Sequence, residues 1–139
     1  MVTAPSYASA PIFVVDDDLA VRLSLKFMFE LEGLSVRLFE SGEALLAAGP
    51  LPERGCLVVD QKMARLTGIE LLHRLNARRV RLPAILITGR LTDDLAARAK
   101  AAGFVAVFEK PLESGLMDAI QSALGKSRSA AEHRIGPSA

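Results

Sequence analysis

The sequence predicts a doubly wound α/β domain, in which five parallel strands in the order 2-1-3-4-5 are covered by five helices. Apolar runs of strand length alternate along the chain with segments of helical periodicity. Polar residues follow four of these runs, and right-handed crossovers bring the carboxyl ends of parallel strands to one edge of the sheet. The polar residues are Asp16, Asp17 and Asp18 after the first run, and then Asp60, Thr88 and Lys110.

The first half of the chain contains two strand patterns and two helical patterns. Arg37 alternates with apolar residues in the second strand, which places that strand at an edge of the sheet. Gly33 ends the first helix, and Ser41 caps the second. The predicted elements are a strand at 11–16, a helix at about 18–32, a strand at 34–39 and a helix at 41–48.

The helix at 18–32 is predicted to bury a wide apolar stripe and to expose one aromatic residue. Phe29 is expected on the polar side of the helix near Arg22. An exposed aromatic among charges is typical of an interface anchor, so we expect a partner to dock there and over the open end of the sheet. Packing of Phe29 against a neighbouring loop is the alternative. The buried stripe is predicted to contain Val21, Leu25 and Met28 beside Ala20, Ser24, Phe27 and Leu31.

The second half of the chain continues the alternation. Thr67 and Glu70 match a capping box at the start of one helix, and Gly103 follows the end of another. The first, third, fourth and fifth strands are apolar on both faces, as expected where helices cover both sides of a parallel sheet. The predicted elements are strands at 55–60, 84–87 and 105–108 and helices at about 68–79, 92–102 and 113–124.

The length of 139 residues favours one domain, predicted at 11–125, with an N-terminal extension at 1–10 and a flexible C-terminal tail at 126–139. The apolar runs are too short to span a membrane, and residues 1–11 lack the pattern of a secretory signal. The single cysteine, Cys56, cannot form an internal disulfide. We therefore expect a cytoplasmic protein that does not contact a membrane.

The charge of the chain does not favour nucleic-acid binding. The formal net charge is only +1, whereas nucleic-acid-binding domains carry a strongly basic face. One local basic cluster falls at the end of a predicted helix, where cations interact favourably with exposed carbonyls. This cluster, interpreted as a solvated helix end, consists of Arg74, Arg78, Arg79 and Arg81.

The polar residues at the strand ends predict a magnesium and phosphoryl site. In the predicted strand order the first and third strands are neighbours, so Asp16, Asp17 and Asp60 meet at the switch point of the sheet. Clustered carboxylates repel one another unless a cation joins them, and oxygen ligands are those that Mg²⁺ prefers. Thr88 and Lys110 add a hydroxyl and an ammonium group that can bind phosphoryl oxygens.

Five motifs in order resemble the receiver (CheY-like) domain of two-component response regulators. Each motif is common by itself, but together they occur with the approximate spacing of that family over residues 11–124. The resemblance implies a flavodoxin-like fold. The motifs are Asp16-Asp17 after an apolar run, Asp60-x-x-Met63, Gly68, Ile87-Thr88-Gly89 and Glu109-Lys110-Pro111.

The resemblance implies a role for each site residue. Asp60 is expected to accept a phosphoryl group from a phosphohistidine of a sensor histidine kinase or a histidine phosphotransferase. Mg²⁺ is expected to bind Asp17, Asp60 and the backbone carbonyl of Lys62 directly, and Asp16 through water. Thr88 and Lys110 are expected to contact phosphoryl oxygens. In the same way, the peptide bond before Pro111 is expected to be cis, and Lys62, Gly89 and Arg90 are expected to flank the phosphoryl group.

The chain departs from the family pattern at two places. Ala64 stands where a proline is usual, which predicts a less rigid loop after Asp60. Val107 stands at the position of the aromatic switch residue, three before the lysine, and Phe108 should lie on the opposite face of its strand. The signal should therefore be transmitted mainly by the loop and helix after Thr88.

The expected output is a protein contact rather than catalysis of a separate reaction. The resemblance implies a downstream protein target, or a homodimer, on the face around residues 92–124. We expect a stand-alone receiver that is not an enzyme except for its own phosphoryl transfer and dephosphorylation.

Two other functions are possible from the sequence. Asp16-x-Asp18, Thr88 and Lys110 partly resemble the catalytic set of haloacid-dehalogenase-like phosphohydrolases. However, Ala20 stands where that family has Thr or Val, and no acidic pair follows the last strand. A binding module that works without phosphorylation is the third class, and the presence of the full acidic and basic set disfavours it.

Overall fold

The computed structural model describes residues 10–112 and 115–135, with the backbone alone for 126–135. One parallel sheet forms its centre. The strands are β1 (Ile12–Val15), β2 (Val36–Phe39), β3 (Cys56–Asp60), β4 (Ala84–Thr88) and β5 (Ala106–Glu109). Their order is β2-β1-β3-β4-β5, as the sequence predicts.

Helices cover both faces of the sheet. They are α1 (Leu19–Leu31), α2 (Gly42–Ala47), α3 (Gly68–Ala77), α4 (Asp93–Ala102) and α5 (Gly115–Ile135). Leu25 of α1 and Leu116 of α5 pack with Val58 on one face, whereas Leu45, Leu71 and Ala99 of α2, α3 and α4 belong to the core on the other. The central strands are therefore buried on both faces, and their successive side chains alternate between two apolar cores.

Local sequence signals set the helix starts. Asp18 caps α1 by accepting a hydrogen bond from the Ala20 N–H at 2.9 Å. Ser41 and Thr92 cap α2 and α4 in the same way. Thr67 and Glu70 form the capping box at the start of α3. Side-chain oxygens thus satisfy backbone N–H groups that lack a partner in the first turn.

The predicted buried stripe of α1 is confirmed for Val21, Leu25 and Met28, which pack into the core, but it is wrong for the helix's phenylalanines and for Leu31. Phe29 is fully buried, whereas Phe27 and Leu31 are 68% and 69% exposed. Successive residues of a helix are about 100° apart, so Phe27 lies about 200° from the buried Leu25. The exposed side carries an apolar row at four-residue spacing, here called the α1 stripe: Leu19, Leu23, Phe27 and Leu31.

Two predictions near the carboxyl terminus also need correction. β5 is only partly buried because it forms the second edge of the sheet, and Val105 before it is 58% exposed. The last helix ends at Ile135 rather than 124, since residues 126–135 include good helix formers such as Ala130 and Ala131.

The predicted N-terminal extension and the flexibility of the predicted C-terminal tail stay predictions. Residues 1–9 and 136–139 lie outside the described residues, as do 113 and 114 at the predicted start of the last helix. Within the part of the chain that the structure describes, no helix is both long and apolar enough to cross a bilayer.

Candidate functional site

Three carboxylates meet at the carboxyl ends of β1 and β3. The register pairs Val15 with Val59, so Asp16 and Asp60 lie side by side one residue later. Asp16 is fully buried, Asp60 is 4% exposed, and Asp17 is exposed. One oxygen from each carboxylate lies within 4.8 Å of the others. The structure thus brings together the acidic residues that the strand order predicts.

Lys110 joins two of these carboxylates. Its Nζ lies 3.0 Å from Asp16 Oδ2 and 3.4 Å from Asp60 Oδ1. The backbone N–H of Lys110 donates to the Thr88 carbonyl at 2.8 Å, which ties the end of β5 to the end of β4. The Lys110–Pro111 peptide bond is cis, the geometry that the resemblance implies.

Burial and charge shift the protonation of this cluster. The pKa of Asp60 is raised from 3.8 to about 6, chiefly by burial and also by the Asp16 carboxylate, while Lys110 opposes the shift. Burial alone would lower the pKa of Lys110, but its contacts with Asp16 and Asp60 outweigh burial and raise that pKa. At neutral pH Asp60 is therefore ionised but poorly compensated, and an additional cation would be favourable.

The backbone around Asp16 is held by contacts that the sequence analysis did not predict. Arg22 Nη1 donates to the carbonyl oxygen of Asp16 at 2.7 Å, and the Asp18 N–H donates to Asp16 Oδ1 at 2.9 Å. The first contact joins the second turn of α1 to the end of β1. Only its position, six residues after Asp16 on the first helix, could have indicated Arg22.

The loop after Asp60 closes tightly beneath the carboxylate. Gln61 Oε1 accepts a hydrogen bond from the Ile69 N–H, and its backbone carbonyl accepts one from Gly68. A Cβ at Gly68 would lie 2.8 Å from the Asp60 carbonyl oxygen and 2.6 Å from Leu86. Glycine at 68 is therefore required for this close approach. The role of Gln61 was not predicted from the sequence.

The predicted flanking residues, together with Thr88 and Gln61, line a cavity of about 390 Å³. Within the described residues, no hydrogen bond or ion pair joins the Lys62 or Arg90 side chain to the acidic cluster. A Cβ at Gly89 would meet nothing within 4 Å, so this side of the site is open. The Thr88 hydroxyl bonds to the backbone N–H and carbonyl of Arg90, each at 3.3 Å, rather than to Asp60.

Val107 and Phe108 lie on opposite faces of β5, as strand alternation predicts. Val107 packs against the core that contains Leu95, and Phe108 packs against the other core. A Cβ at Gly115 would lie 3.1 Å from the Phe108 ring, which shows that this ring contacts the start of α5. Phe108 therefore does not take the place that Val107 occupies.

The chemistry of the acidic cluster fits a hard divalent cation. Asp16, Asp17 and Asp60 offer oxygen ligands alone, without sulfur or imidazole. Mg²⁺ prefers such ligands and keeps several waters, and the exposed Asp17 leaves room for them. The site is thus compatible with Mg²⁺.

Comparisons with known proteins agree with this geometry. The model of the response regulator receiver domain matches residues 12–121. The transcriptional regulatory protein FixJ of Azorhizobium caulinodans is 41% identical over 120 residues, which cover 86% of this chain and 57% of that protein. FixJ of Bradyrhizobium diazoefficiens is 40% identical over 122 residues, covering 87% and 60%. The chain thus spans little more than half the length of these relatives.

Solved structures of receiver domains have the same fold as this chain. A crystal structure of FixJ-N has a TM-score of 0.76 at 34% identity, covering 85% of this chain and 94% of that one. Full-length FixJ from B. japonicum has a TM-score of 0.80 at 39% identity, covering 90% and 62%. The chemotaxis protein CheY4 of Vibrio cholerae, at 21% identity and a TM-score of 0.76, covers 83% and 98% and shares the fold.

The hydrolase alternative receives no support. The family model and the similar proteins are response regulator receivers. In a hydrolase Asp18 would be the second catalytic acid, but in this structure it caps a helix. Its exposed carboxylate accepts a hydrogen bond from the Ala20 N–H at the start of α1. The expectation of a stand-alone receiver stays a prediction.

Proposed function

The chain belongs to the response regulator receiver family, and from that premise we propose that Asp60 accepts a phosphoryl group from a phosphohistidine. The observation that carries this proposal is the arrangement of Asp60 among Asp16, Asp17 and Lys110 at the open edge of the sheet. An oxygen of the Asp60 carboxylate forms the new P–O bond. The P–N bond to the donor imidazole breaks, and its electron pair stays on nitrogen.

The proposed cofactor is Mg²⁺, held directly by Asp17, Asp60 and the Lys62 carbonyl, and by Asp16 through water. When bound, the ion would offset the carboxylate charge and the charge of the transferred group. Lys110 already holds Asp16 and Asp60 in place, and its ammonium can bind one phosphoryl oxygen. The Thr88 hydroxyl can donate to another after it leaves Arg90.

The remaining residues of the site shape access and output. Lys62, Gly89 and Arg90 border the open cavity and would flank a phosphoryl group on Asp60. Since Val107 is small and has few rotamers, the change at Thr88 would pass mainly into the loop at 89–92 and α4. Only Leu95, Ala99 and Ala102 of α4 are buried, so few apolar contacts hold this helix against the sheet.

We propose that the chain is a signalling phosphoacceptor of the cytoplasm and not an enzyme acting on separate substrates. Its output would be contact with a downstream protein, or with a second copy, through the face around 92–124. In relatives that are longer than this chain, the receiver is one part of a transcriptional regulatory protein. That fact supports an output by contact with another domain or protein.

The α1 stripe is the surface best suited to the phosphodonor protein. It begins at Leu19, beside the acidic cluster, and extends about 18 Å along the helix to Leu31. An apolar row of this length that adjoins the site can pack against a helix of a histidine kinase or phosphotransferase. Phe27, at 68% exposure, takes the anchoring role that the sequence had suggested for Phe29.

We expect Phe27→Ser to lower transfer from a purified histidine kinase or phosphotransferase by about tenfold or more, since buried aromatic anchors dominate interfaces. Phosphorylation by a small phosphodonor should not change. Val105→Ser is the matched control, because Val105 is similarly exposed but lies before β5, away from the stripe. Rates are compared by phosphoprotein gel. Equal transfer to the wild type and to Phe27→Ser would exclude this docking surface.

The proposed function is tested by incubating the purified chain with a small phosphodonor, with Mg²⁺ or with a chelator. The proposal predicts one phosphoryl group per chain by intact mass, and only with the metal. Continued turnover of a generic phosphoester would instead indicate a hydrolase. Phosphorylation at full yield without a divalent ion would contradict the metal assignment.

A further inference from the structure

The loop at 89–92, which carries the residues beside the phosphoryl position, has few attachments. The Leu91 N–H donates to Glu109 Oε2 at 3.0 Å. Apart from the two bonds through which Thr92 caps α4, the other two bonds of the loop are those between the Thr88 hydroxyl and the backbone of Arg90, both long at 3.3 Å. The Glu109 bond is the shortest of the three and has a charged acceptor, which makes it the strongest.

Phosphorylation would weaken the attachment of the loop to the Thr88 hydroxyl. A hydroxyl group has one hydrogen, so Thr88 cannot donate to the Arg90 carbonyl and to a phosphoryl oxygen at the same time. When Thr88 turns toward Asp60, the bond from Leu91 to Glu109 is the remaining attachment of the loop between Thr88 and the cap at Thr92, within the described residues. Glu109 therefore resists the movement that brings the Thr88 hydroxyl to the site.

Glu109 is well placed for this role. It is paired with Thr88 in the register of β4 and β5, and it directly precedes Lys110. Within the described residues its carboxylate accepts this one hydrogen bond. The same strand end thus holds both the ammonium that contacts Asp60 and the carboxylate that holds the loop.

We propose that Glu109 is a positioning residue that holds the loop at 89–92 in its resting place and thereby slows phosphoryl transfer to Asp60. This inference rests on the proposed function. While the Leu91–Glu109 bond is present, the loop less often adopts the position in which Thr88 can reach the phosphoryl group. The rate of phosphoryl transfer to Asp60 is lower for that reason. Loss of the bond lets the loop adopt that position more often.

The test compares Glu109→Ala and Glu109→Gln with the wild type. Glutamine keeps an oxygen acceptor at the same distance along the side chain but loses the charge. Glu53→Ala, which removes an exposed carboxylate from a distant loop, is the control for net charge. The measurements are NMR exchange of the Leu91 amide without phosphodonor, and the initial rate of phosphorylation by a small phosphodonor with Mg²⁺.

Glu109→Ala is expected to speed exchange of the Leu91 amide about tenfold and phosphorylation about fivefold. Glu109→Gln keeps a weaker acceptor and should lie between Glu109→Ala and the wild type in both rates, whereas Glu53→Ala should stay within about twofold of the wild type. Equal acceleration in Glu109→Ala and Glu109→Gln would overturn the inference, because the effect would then come from charge near Lys110. Equal rates in all four proteins would overturn it too. A wild type that is not phosphorylated would instead refute the proposed function.

Discussion

Asp60→Asn is expected to abolish phosphorylation by a small phosphodonor under conditions that convert the wild type to a singly phosphorylated form. The amide lacks the nucleophilic carboxylate oxygen, and two nearby carboxylates are engaged: Asp16 with Lys110 and the Asp18 N–H, Asp18 with the Ala20 N–H. Intact mass spectrometry measures the result directly.

Asp18→Asn is the matched control for this experiment. Asp18 is exposed and caps α1, and asparagine is an equally good capping residue. This variant should be phosphorylated to the same extent as the wild type. A normal yield in Asp60→Asn, or a complete loss in Asp18→Asn, would show that another residue accepts the phosphoryl group.

Asp60→Asn should also stabilise the metal-free protein at pH 7.5, by about 1 to 2 kcal/mol in the free energy of unfolding. The pKa of Asp60 is raised from 3.8 to about 6 in the folded chain, mainly by burial. The folded state therefore binds this proton more tightly than the unfolded state. The contribution of Asp60 to stability is most favourable below pH 4, falls as the pH rises from 4 to 6, and stays low above that range.

Urea unfolding of both proteins in a chelator, at pH 7.5 and pH 4, measures this effect. The difference between Asp60→Asn and the wild type should be present at pH 7.5 and nearly absent at pH 4, where Asp60 is protonated. Mg²⁺ at pH 7.5 should stabilise the wild type and reduce the difference, because the ion binds the folded state. A wild type more stable than Asp60→Asn in chelator at pH 7.5 would refute the assignment of Asp60 as a poorly compensated carboxylate.

The positions of Asp16, Asp17, Asp60 and Lys110 could be predicted because they depend on topology alone. In a parallel sheet, residues just after strands lie at one edge whatever the details of packing, so strand order was enough to bring these groups together. The opposite faces of Val107 and Phe108 follow in the same way from the two-residue period of a strand.

The sequence could not predict features that depend on side-chain direction. Helix α1 has apolar residues on two sides, so its periodicity did not decide whether Phe27 or Phe29 faces the sheet. The contacts from Arg22 to the Asp16 carbonyl and from Leu91 to Glu109 join different elements through backbone groups. Every residue has a backbone N–H or carbonyl group, so the residue types in a sequence do not indicate which backbone group a side chain will bind.

The identity of the phosphorylated residue is the central claim, and reductive trapping tests it most directly. Borohydride reduces an aspartyl phosphate to homoserine, so the phosphorylated wild-type chain is treated with borohydride, digested and sequenced by tandem mass spectrometry. Homoserine at position 60, absent when the phosphodonor is omitted, is the result that the proposed function predicts. Homoserine at position 16, 17 or 18 with an intact Asp60 would contradict it.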